Sequence, residues 1–216
     1  MQKRCIIFDM DGVIIDSEPI HHACEKEIFD LLGIHVPEEV HNTFVGSTDE
    51  IMWSRIAEEH GLPMDEVESI IQLKQRLYLE YLEQEQYLQP IPNIMELIEE
   101  LNNNFLLVLA SSSPHEQIDY ILENLDLKQY FTSIISGEDV VKGKPSPEIF
   151  LLAAKSAGVK PELCVVIEDS YNGIIAAKNA RMKCIAYYNP NSGNQDLSKA
   201  DIVVSSFKEI SVAMLL

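Results

Sequence analysis

Two carboxylates stand close together near the start of the chain, in the segment Asp9-Met10-Asp11-Gly12. At this spacing both can serve one site, one as a nucleophile and the other as a general acid or base. Gly12 permits a tight turn and a close approach of the backbone to a ligand. Because the chain contains 35 acidic residues, the pair alone also fits a solvated loop. The apolar run that precedes it favours a buried site.

A run of hydroxyl side chains, Ser111-Ser112-Ser113, directly precedes Pro114. Ser113 suits a helix N-cap with Pro114 at the first helical position, and Glu116 would complete a capping box. Free backbone N–H groups at such a helix start bind anions, and the Ser111 hydroxyl could contact a phosphate oxygen. The segment therefore predicts either an anion site or simply a well-capped helix.

Positive charge is scarce, which makes one lysine-rich loop notable. The chain has 16 Lys and Arg against 35 Asp and Glu, a net charge of −19, which disfavours binding to nucleic acid or to anionic membranes. An anionic substrate would need local attraction. Lys144, on a loop stiffened by Pro145 and Pro147, is a candidate for fixing a phosphate group. A solvent-facing lysine is the common alternative.

A second carboxylate pair, Glu168-Asp169, ends another apolar run and precedes a predicted helix. Acidic residues at a helix start also favour the helix dipole, so capping is one interpretation. The other is a metal site, because Mg²⁺ takes hard oxygen ligands and usually keeps some waters. Asp9, Asp169 and the backbone carbonyl of Asp11 would suit that ion.

Short apolar runs alternate with helical patterns through most of the chain. Strands are predicted at residues 4–8, 105–110, 132–136, 163–168, 183–187 and 201–204, and helices at 92–103, 114–125, 146–157 and 171–180. Uniformly apolar strands alternating with helices predict an α/β fold with a Rossmann-like parallel sheet that is covered on both faces. Ligands bind at the carboxyl edge of such a sheet, where the polar segments fall.

Residues 17–87 interrupt this alternation. The patterns there predict only amphipathic helices, at residues 17–32, 37–43, 48–60 and 65–87. We therefore expect a discontinuous α/β core domain at residues 1–16 and 88–216, with an inserted α-helical cap domain at 17–87. Prolines punctuate the two joints, which are predicted near Asp16–Pro19 and Gln86–Pro92.

Composition limits the setting in which the protein works. With 216 residues and 46% apolar content, the chain can bury a substantial core. The four cysteines form no CxxC pair, which fits a reducing compartment. We find neither a targeting segment nor a run long enough to span a membrane, so the expectation is a cytoplasmic protein, a monomer or weak dimer, that acts on a small metabolite.

The ordered set of motifs is more specific than any one of them. Four predicted strand ends carry, in order, DxDG, Ser, Lys-Pro and Glu-Asp. This set resembles the haloacid dehalogenase-like (HAD) superfamily, and within it the β-phosphoglucomutase-like subfamily with its sugar- and polyol-phosphate phosphatases. The resemblance covers the whole chain and includes the stretches Phe8-Asp9-Met10-Asp11-Gly12-Val13, Asp16-Ser17-Glu18-Pro19, Gly143-Lys144-Pro145-Ser146-Pro147 and Glu168-Asp169-Ser170.

The resemblance implies a role for each polar residue. Asp9 matches the nucleophile that forms an aspartyl-phosphate, and Asp11 matches the general acid/base, which the dehalogenase branch lacks. The residues implied to bind the phosphate group are Ser111 and Lys144, with Ser112 beside them. The residues implied to hold Mg²⁺ are Asp9, Asp11, Asp169 and, as a supporting carboxylate, Glu168.

The cap decides between a phosphatase and a mutase. Asp49 stands in the predicted cap loop Gly46-Ser47-Thr48-Asp49, where the β-phosphoglucomutases compared carry an arginine for the distal phosphate of a bisphosphate. An aspartate would repel that group, which favours water as the acceptor and hence hydrolysis of a sugar or polyol phosphate. Lys74 and Arg76 could compensate, so a β-phosphoglucomutase is the alternative. Asp49 could also simply belong to the first turn of a helix that starts near Ser47, with Glu50 closing a capping box.

Other interpretations remain open at this stage. His21 falls in the first cap helix and either contacts substrate or lies at the surface, whereas Trp53, Tyr78 and Tyr81 are expected to be packing residues. A response-regulator receiver shares the acidic pair, the Ser/Thr and the lysine, but lacks a helical insertion. A non-catalytic relative would normally have lost at least one of the key side chains. Turnover of an aryl phosphate with Mg²⁺ would separate the enzyme from both.

Overall fold

A six-stranded parallel sheet forms the centre of the computed structural model, which describes residues 4–84 and 88–215. The strand order is β3-β2-β1-β4-β5-β6. The strands are β1 (Cys5–Phe8), β2 (Leu106–Ala110), β3 (Ser133–Ile135), β4 (Cys164–Glu168), β5 (Lys183–Tyr187) and β6 (Ile202–Val204). All six predicted strands are confirmed, as is the Rossmann-like sheet.

Helices cover both faces of this sheet because its strands are apolar on both sides. In β1, Ile6 and Phe8 face one apolar layer, and Cys5 and Ile7 face the other. The first layer packs against α5 (Ile94–Asn102), α6 (His115–Asn124) and the short α9 (Val212–Leu215). The second packs against α7 (Glu148–Ser156) and α8 (Tyr171–Asn179).

The inserted segment is helical, as the sequence predicts. Its helices are α1 (Glu18–Leu32), α2 (Glu38–His41), α3 (Asp49–His60) and α4 (Val67–Leu82), and a short 3-10 turn follows α2. They enclose a separate apolar cluster around the fully buried Trp53. The prediction that the last helix continues past Leu82 is wrong for Glu83 and Gln84. Acidic side chains at a helix C-terminus oppose the dipole there. Residues 85–87, including Gln86 of the predicted joint, lie outside the described residues.

The two passes of the chain between core and cap lie side by side. Ile15 pairs with Pro90 in an isolated bridge, and the N–H of Ile91 donates to the carbonyl of Ile14 at 2.8 Å. Tyr78 and Leu82 of α4 pack into the same apolar layer as α5. The cap therefore rests on the core, and the domain boundaries at 16/17 and 87/88 stay a prediction.

Each of the four cysteines, Cys5, Cys24, Cys164 and Cys184, is a buried free thiol. Within the ranges that the structure describes, none of the helices has both the length and the apolar character needed to cross a bilayer.

Candidate active site

The sheet brings the predicted polar segments to one edge. Asp9 follows β1, Ser111 follows β2 and Asp169 follows β4, and β1 lies between the other two strands. Phe8 of β1 is in register with both Leu109 of β2 and Ile167 of β4. The side chains that follow these positions must therefore converge at the carboxyl ends of the strands.

Lys144 lies at the bottom of this site and joins two of its carboxylates. Its Nζ lies 2.9 Å from Oδ1 of Asp9 and 2.7 Å from Oε1 of Glu168. The side chain is 0% exposed, so the solvent-facing interpretation of this lysine is wrong. Although burial alone would lower the pKa of Lys144, the charges of Asp9 and Glu168 raise it above its usual value, which keeps the lysine protonated.

Glu168 is held ionised from both sides. Its Oε2 accepts the backbone N–H groups of Asp169 and Ser170, each at 2.7 Å. Although burial opposes ionisation, Lys144 and these donors lower the pKa of Glu168. Gly173 in the first turn of α8 makes room for the carboxylate, because a Cβ there would collide with it. With its oxygens engaged in this way, Glu168 fits the supporting role that the sequence predicts.

Three carboxylates and one lysine leave an excess of buried negative charge. Asp9, Glu168 and Asp169 each offer an oxygen, and these atoms lie within 4.8 Å of one another. Burial raises the pKa of both Asp9 and Asp169 well above the usual range, and the neighbouring carboxylates raise it further. A hard divalent cation would relieve this repulsion, and oxygen donors are those that Mg²⁺ prefers. The donor set therefore fits Mg²⁺.

Two further residues shape the Asp169 side of the cluster. The hydroxyl of Ser192, which sequence reasoning did not identify, donates to Oδ2 of Asp169 and fixes its orientation. Gly12 has a φ of 73° and packs so closely on Asp169 that a Cβ would collide with the carboxylate. This is a position where both the left-handed backbone and the close approach require glycine.

The carboxylate of Asp11 is held apart from this cluster by a set of hydroxyl and imidazole donors. Although burial would raise its pKa, hydrogen bonds from His21, Ser17 and Ser113 lower the pKa of Asp11 below its usual range. The donors to its two oxygens are Ser17 Oγ at 2.6 Å, Ser113 Oγ at 2.7 Å, Ser111 Oγ at 3.2 Å, Tyr78 OH at 3.3 Å and the His21 Nε2 at 3.4 Å. Asp11 and Asp9 thus occupy different environments two residues apart.

The serine segment differs from its predicted form. Helix α6 begins at His115 with Pro114 as its N-cap, and the carboxylate of Glu138 accepts the backbone N–H of His115 at 2.9 Å. The predicted Ser113–Glu116 capping box is wrong because the Ser113 hydroxyl donates to Asp11 instead. Ser111 is fully buried beside Asp11, whereas the Ser112 hydroxyl donates to the backbone carbonyl of Gly46 in the cap at 2.9 Å.

Two cap side chains reach the core site. His21 is stacked on Tyr78 with ring centroids 4.6 Å apart, and both contact Oδ1 of Asp11. His21 is therefore at the site, not at the surface. Tyr78, which was expected only to pack, is fully buried and also donates to the candidate acid/base. Its position at helical spacing among apolar residues gives no signal of the second role.

The cap side of the cavity carries a charge cluster of its own. The Lys74 ammonium pairs with Asp49 and lies 3.3 Å from Oε1 of Glu25, whose other oxygen pairs with His41. Sequence reasoning did not identify Glu25 or His41. Arg76 is exposed and lies 4.0 Å from Glu80, so it does not join this cluster.

Asp49 lies in the first turn of α3, as the helix-start interpretation supposes, but the capping box from Ser47 to Glu50 is wrong. The N-cap is Thr48, whose side chain makes no capping hydrogen bond. The Ser47 hydroxyl lies 3.3 Å from the amide of Asn172 in the core.

A single cavity between core and cap joins both sets of residues. Asp9, Asp11, Ser112 and Gln117 line it from the core. The cap side chains that line it include Glu18, His21, Glu25, His41, Asp49 and Lys74. The site thus combines the carboxylates of Asp9 and Asp11 on the core side, with buried Lys144 paired to Asp9, and a polar roof on the cap side. This arrangement suits a small anionic ligand that carries polar groups.

Comparison with known proteins agrees with this site. A family model described as haloacid dehalogenase-like hydrolase matches residues 6–187. The putative phosphatase YhcW of Bacillus subtilis is 32% identical over 99% of this chain and 96% of its own length. Hexitol phosphatase B of Escherichia coli is 32% identical over 100% and 97% of the two chains. Phosphorylated carbohydrates phosphatase of Thermotoga maritima is 32% identical over 96% of each.

The solved structures include the β-phosphoglucomutase of Clostridium difficile, with a TM-score of 0.87 and 26% identity over 99% of this chain and 96% of that one. The chain belongs to the haloacid dehalogenase-like hydrolases. Within that family, the protein is a hydrolase that acts on phosphate monoesters, and its substrate is a small phosphorylated compound.

Proposed function

We propose that the protein is a Mg²⁺-dependent phosphatase that hydrolyses a small sugar or polyol phosphate through an aspartyl-phosphate on Asp9. The observation that carries the proposal is the separation of two carboxylate environments. Asp9 lies beside Lys144 in a cluster that fits a divalent cation, whereas Asp11 lies among hydrogen-bond donors 3.4 Å or less away. One position suits a nucleophile, and the other suits an acid/base.

In the first half-reaction, an oxygen of Asp9 attacks phosphorus, and the bond from phosphorus to the ester oxygen breaks. Asp11 delivers a proton to the departing oxygen. The donors around Asp11 favour its ionised form in the absence of substrate, and a phosphate dianion arriving beside it would raise its pKa and favour the acid form.

In the second half-reaction, water attacks the phosphorus of the aspartyl-phosphate while Asp11 takes one of its protons. Asp9 is regenerated, and inorganic phosphate leaves. Lys144 supplies a fixed positive charge at the attacking carboxylate throughout. Mg²⁺ bound by Asp9 and Asp169 would supply further positive charge for the phosphate oxygens.

The substrate class is supported by the cavity and by relatives. Two proteins that are 32% identical over nearly the whole chain are named for phosphorylated carbohydrates and for hexitols. The cavity between core and cap is lined by carboxylate, imidazole and amide groups, which suit hydroxyl groups. The cap would also exclude bulk water from the aspartyl-phosphate until the leaving group departs.

A β-phosphoglucomutase is the second candidate, favoured by the structural similarity to the Clostridium difficile enzyme. A ³¹P NMR time course with Mg²⁺, β-glucose 1-phosphate and a trace of glucose 1,6-bisphosphate separates the two. Growth of inorganic phosphate alone supports the phosphatase. Growth of glucose 6-phosphate with little free phosphate would identify a mutase. If neither appears, an aryl phosphate and a panel of hexitol phosphates follow, and no turnover of any of them would overturn the proposal.

A further inference from the structure

We propose that Glu25, His41, Asp49 and Lys74 of the cap, together with Gln117 of the core, bind the hydroxyl groups of a monophosphorylated substrate and reject a second phosphate group. The four cap residues are called the cap polar cluster below. This inference rests on the proposed function, because it concerns the part of the substrate that lies away from the reacting phosphate.

The cap polar cluster is buried against the cavity. Lys74 and Glu25 are 5% and 4% exposed, and all members of the cluster line the cavity. Lys74 comes from α4, Glu25 from α1 and Asp49 from α3, so three cap helices meet at one ammonium group. A charged group this deep in a small helical unit is costly unless a ligand or a specific structure uses it.

The charges of the cluster do not favour a second anion. Two carboxylates, Glu25 and Asp49, face the one lysine. Although burial opposes ionisation, Lys74 and His41 lower the pKa of Glu25 to about 2, so this carboxylate is charged at neutral pH. The charge of Lys74 is thus already engaged by two carboxylates. A second phosphate entering the cap would meet these carboxylates, whereas the reacting phosphate meets Lys144 beside Asp9.

Three residues that line the cavity have a buried side-chain nitrogen with no hydrogen-bond partner among residues 4–84 and 88–215. These atoms are the side-chain nitrogen of Gln117 and Nδ1 of both His41 and His21. His21 contacts Asp11 through its other nitrogen, so Gln117 and His41 are the two that concern the part of the substrate away from the reacting phosphate. Gln117 comes from α6 of the core and His41 from the end of α2 in the cap. An unpaired buried polar group is unfavourable, and a ligand between core and cap would supply the partner.

The chemistry of these two groups favours a hydroxyl. The Gln117 nitrogen can only donate. Nε2 of His41 pairs with Glu25, and its Nδ1 accepts or donates a hydrogen bond according to the proton on the ring. A hydroxyl group can pair with Gln117 and with either form of His41, since it both accepts and donates a hydrogen bond. A fully ionised phosphate group can only accept.

Binding to an inactive background tests the inference independently of turnover. In Asp9→Asn protein with Mg²⁺, the dissociation constants of fructose 6-phosphate and fructose 1,6-bisphosphate are measured by isothermal titration calorimetry. We expect the monophosphate to bind at least about tenfold more tightly. Adding Asp49→Asn, which keeps the shape of the side chain but removes its charge, should reduce that preference at least about tenfold.

Gln117→Leu provides the second variant, with Gln72→Leu on the exposed face of α4 as its control. Gln117→Leu should raise the dissociation constant of fructose 6-phosphate about tenfold, and Gln72→Leu should leave that constant unchanged. The inference would be overturned by any of three results: equal affinity for the two fructose phosphates, no binding of either, or an unchanged preference after Asp49→Asn. Failure of the unmutated protein to hydrolyse any phosphate monoester would instead overturn the proposed function, whatever the binding preference.

Discussion

The hydroxyl of Tyr78 in the cap lies 3.3 Å from Oδ1 of Asp11 in the core. The two residues are 67 positions apart in the chain and meet only because α4 packs onto the sheet edge. His21 of α1 contacts the same carboxylate oxygen through its Nε2, at 3.4 Å. The ionisation of the candidate acid/base is therefore linked to the position of the cap.

Tyr78→Phe should slow catalysis without loosening the cap, because it removes a donor to Asp11 and keeps the ring stacked on His21. A hydrogen bond to a charged group contributes about 1.5–3 kcal/mol, so we expect kcat to fall roughly 10-fold. Steady-state kinetics with an aryl phosphate measures this. Tyr188→Phe, at an exposed tyrosine, is the control. An unchanged kcat would show that Tyr78 only packs.

Asn172→Ala should weaken the contact between core and cap. The Asn172 side-chain amide donates to the backbone carbonyls of Thr43 and Val45 at 3.2 and 3.0 Å. Because this contact accompanies the closed cavity, its loss should raise KM about 5- to 10-fold, with a smaller change in thermal stability. Asn124→Ala, which removes an exposed amide on α6, is the matched control. Equal KM values for both variants would argue against a role for Asn172 in closure.

Glu25→Gln should destabilise the protein in a pH-dependent manner. The pKa of Glu25 is lowered from 4.5 to about 2, so its charge stabilises the folded state by roughly 3 kcal/mol at pH 7. That stability is present above pH 4.5 and is lost as the pH falls towards 2. Denaturant unfolding at several pH values should therefore show the difference from the unmutated protein shrinking below pH 4.5. Glu27→Gln, on the exposed face of α1, should show little difference at any pH.

Mg²⁺ should stabilise the protein through its carboxylate cluster. The buried excess of negative charge at Asp9, Glu168 and Asp169 is repulsive when no cation is bound. At a Mg²⁺ concentration 100 times its dissociation constant, linkage predicts about 2.7 kcal/mol of added stability. Thermal unfolding with and without chelator measures this. Asp169→Asn should abolish most of this gain in stability, whereas the control Asp65→Asn should keep all of it. Equal gains in the unmutated protein and in both variants would place the ion elsewhere.

Sequence reasoning succeeded where a local pattern determines the structure. Uniformly apolar runs predicted all six strands, and their shared edge brought Asp9, Ser111 and Asp169 together. It failed where a tertiary partner outweighs a local one. Ser113 has the pattern of an N-cap, yet its hydroxyl is bound by Asp11, about a hundred residues earlier in the chain.

The roof of the cavity was the least predictable part. Glu25, His41 and Lys74 each look like an ordinary polar residue of an amphipathic helix, and only the packing of three helices buries them together. The spacing of residues within any one helix does not indicate that these side chains contact one another. The sequence singled out both Asp49 and Lys74, but only the structure shows that the two form an ion pair.

The central claim, that Asp9 attacks phosphorus, is tested most directly by trapping the intermediate. Asp11→Asn protein with Mg²⁺ is mixed with an aryl phosphate, whose leaving group departs without a general acid, and is then quenched with borohydride. Borohydride reduces an aspartyl-phosphate to homoserine, which peptide mass spectrometry locates. We predict homoserine at position 9 and only when substrate is present. Release of the aryl alcohol with unmodified Asp9, or with the modification at another carboxylate, would contradict the mechanism.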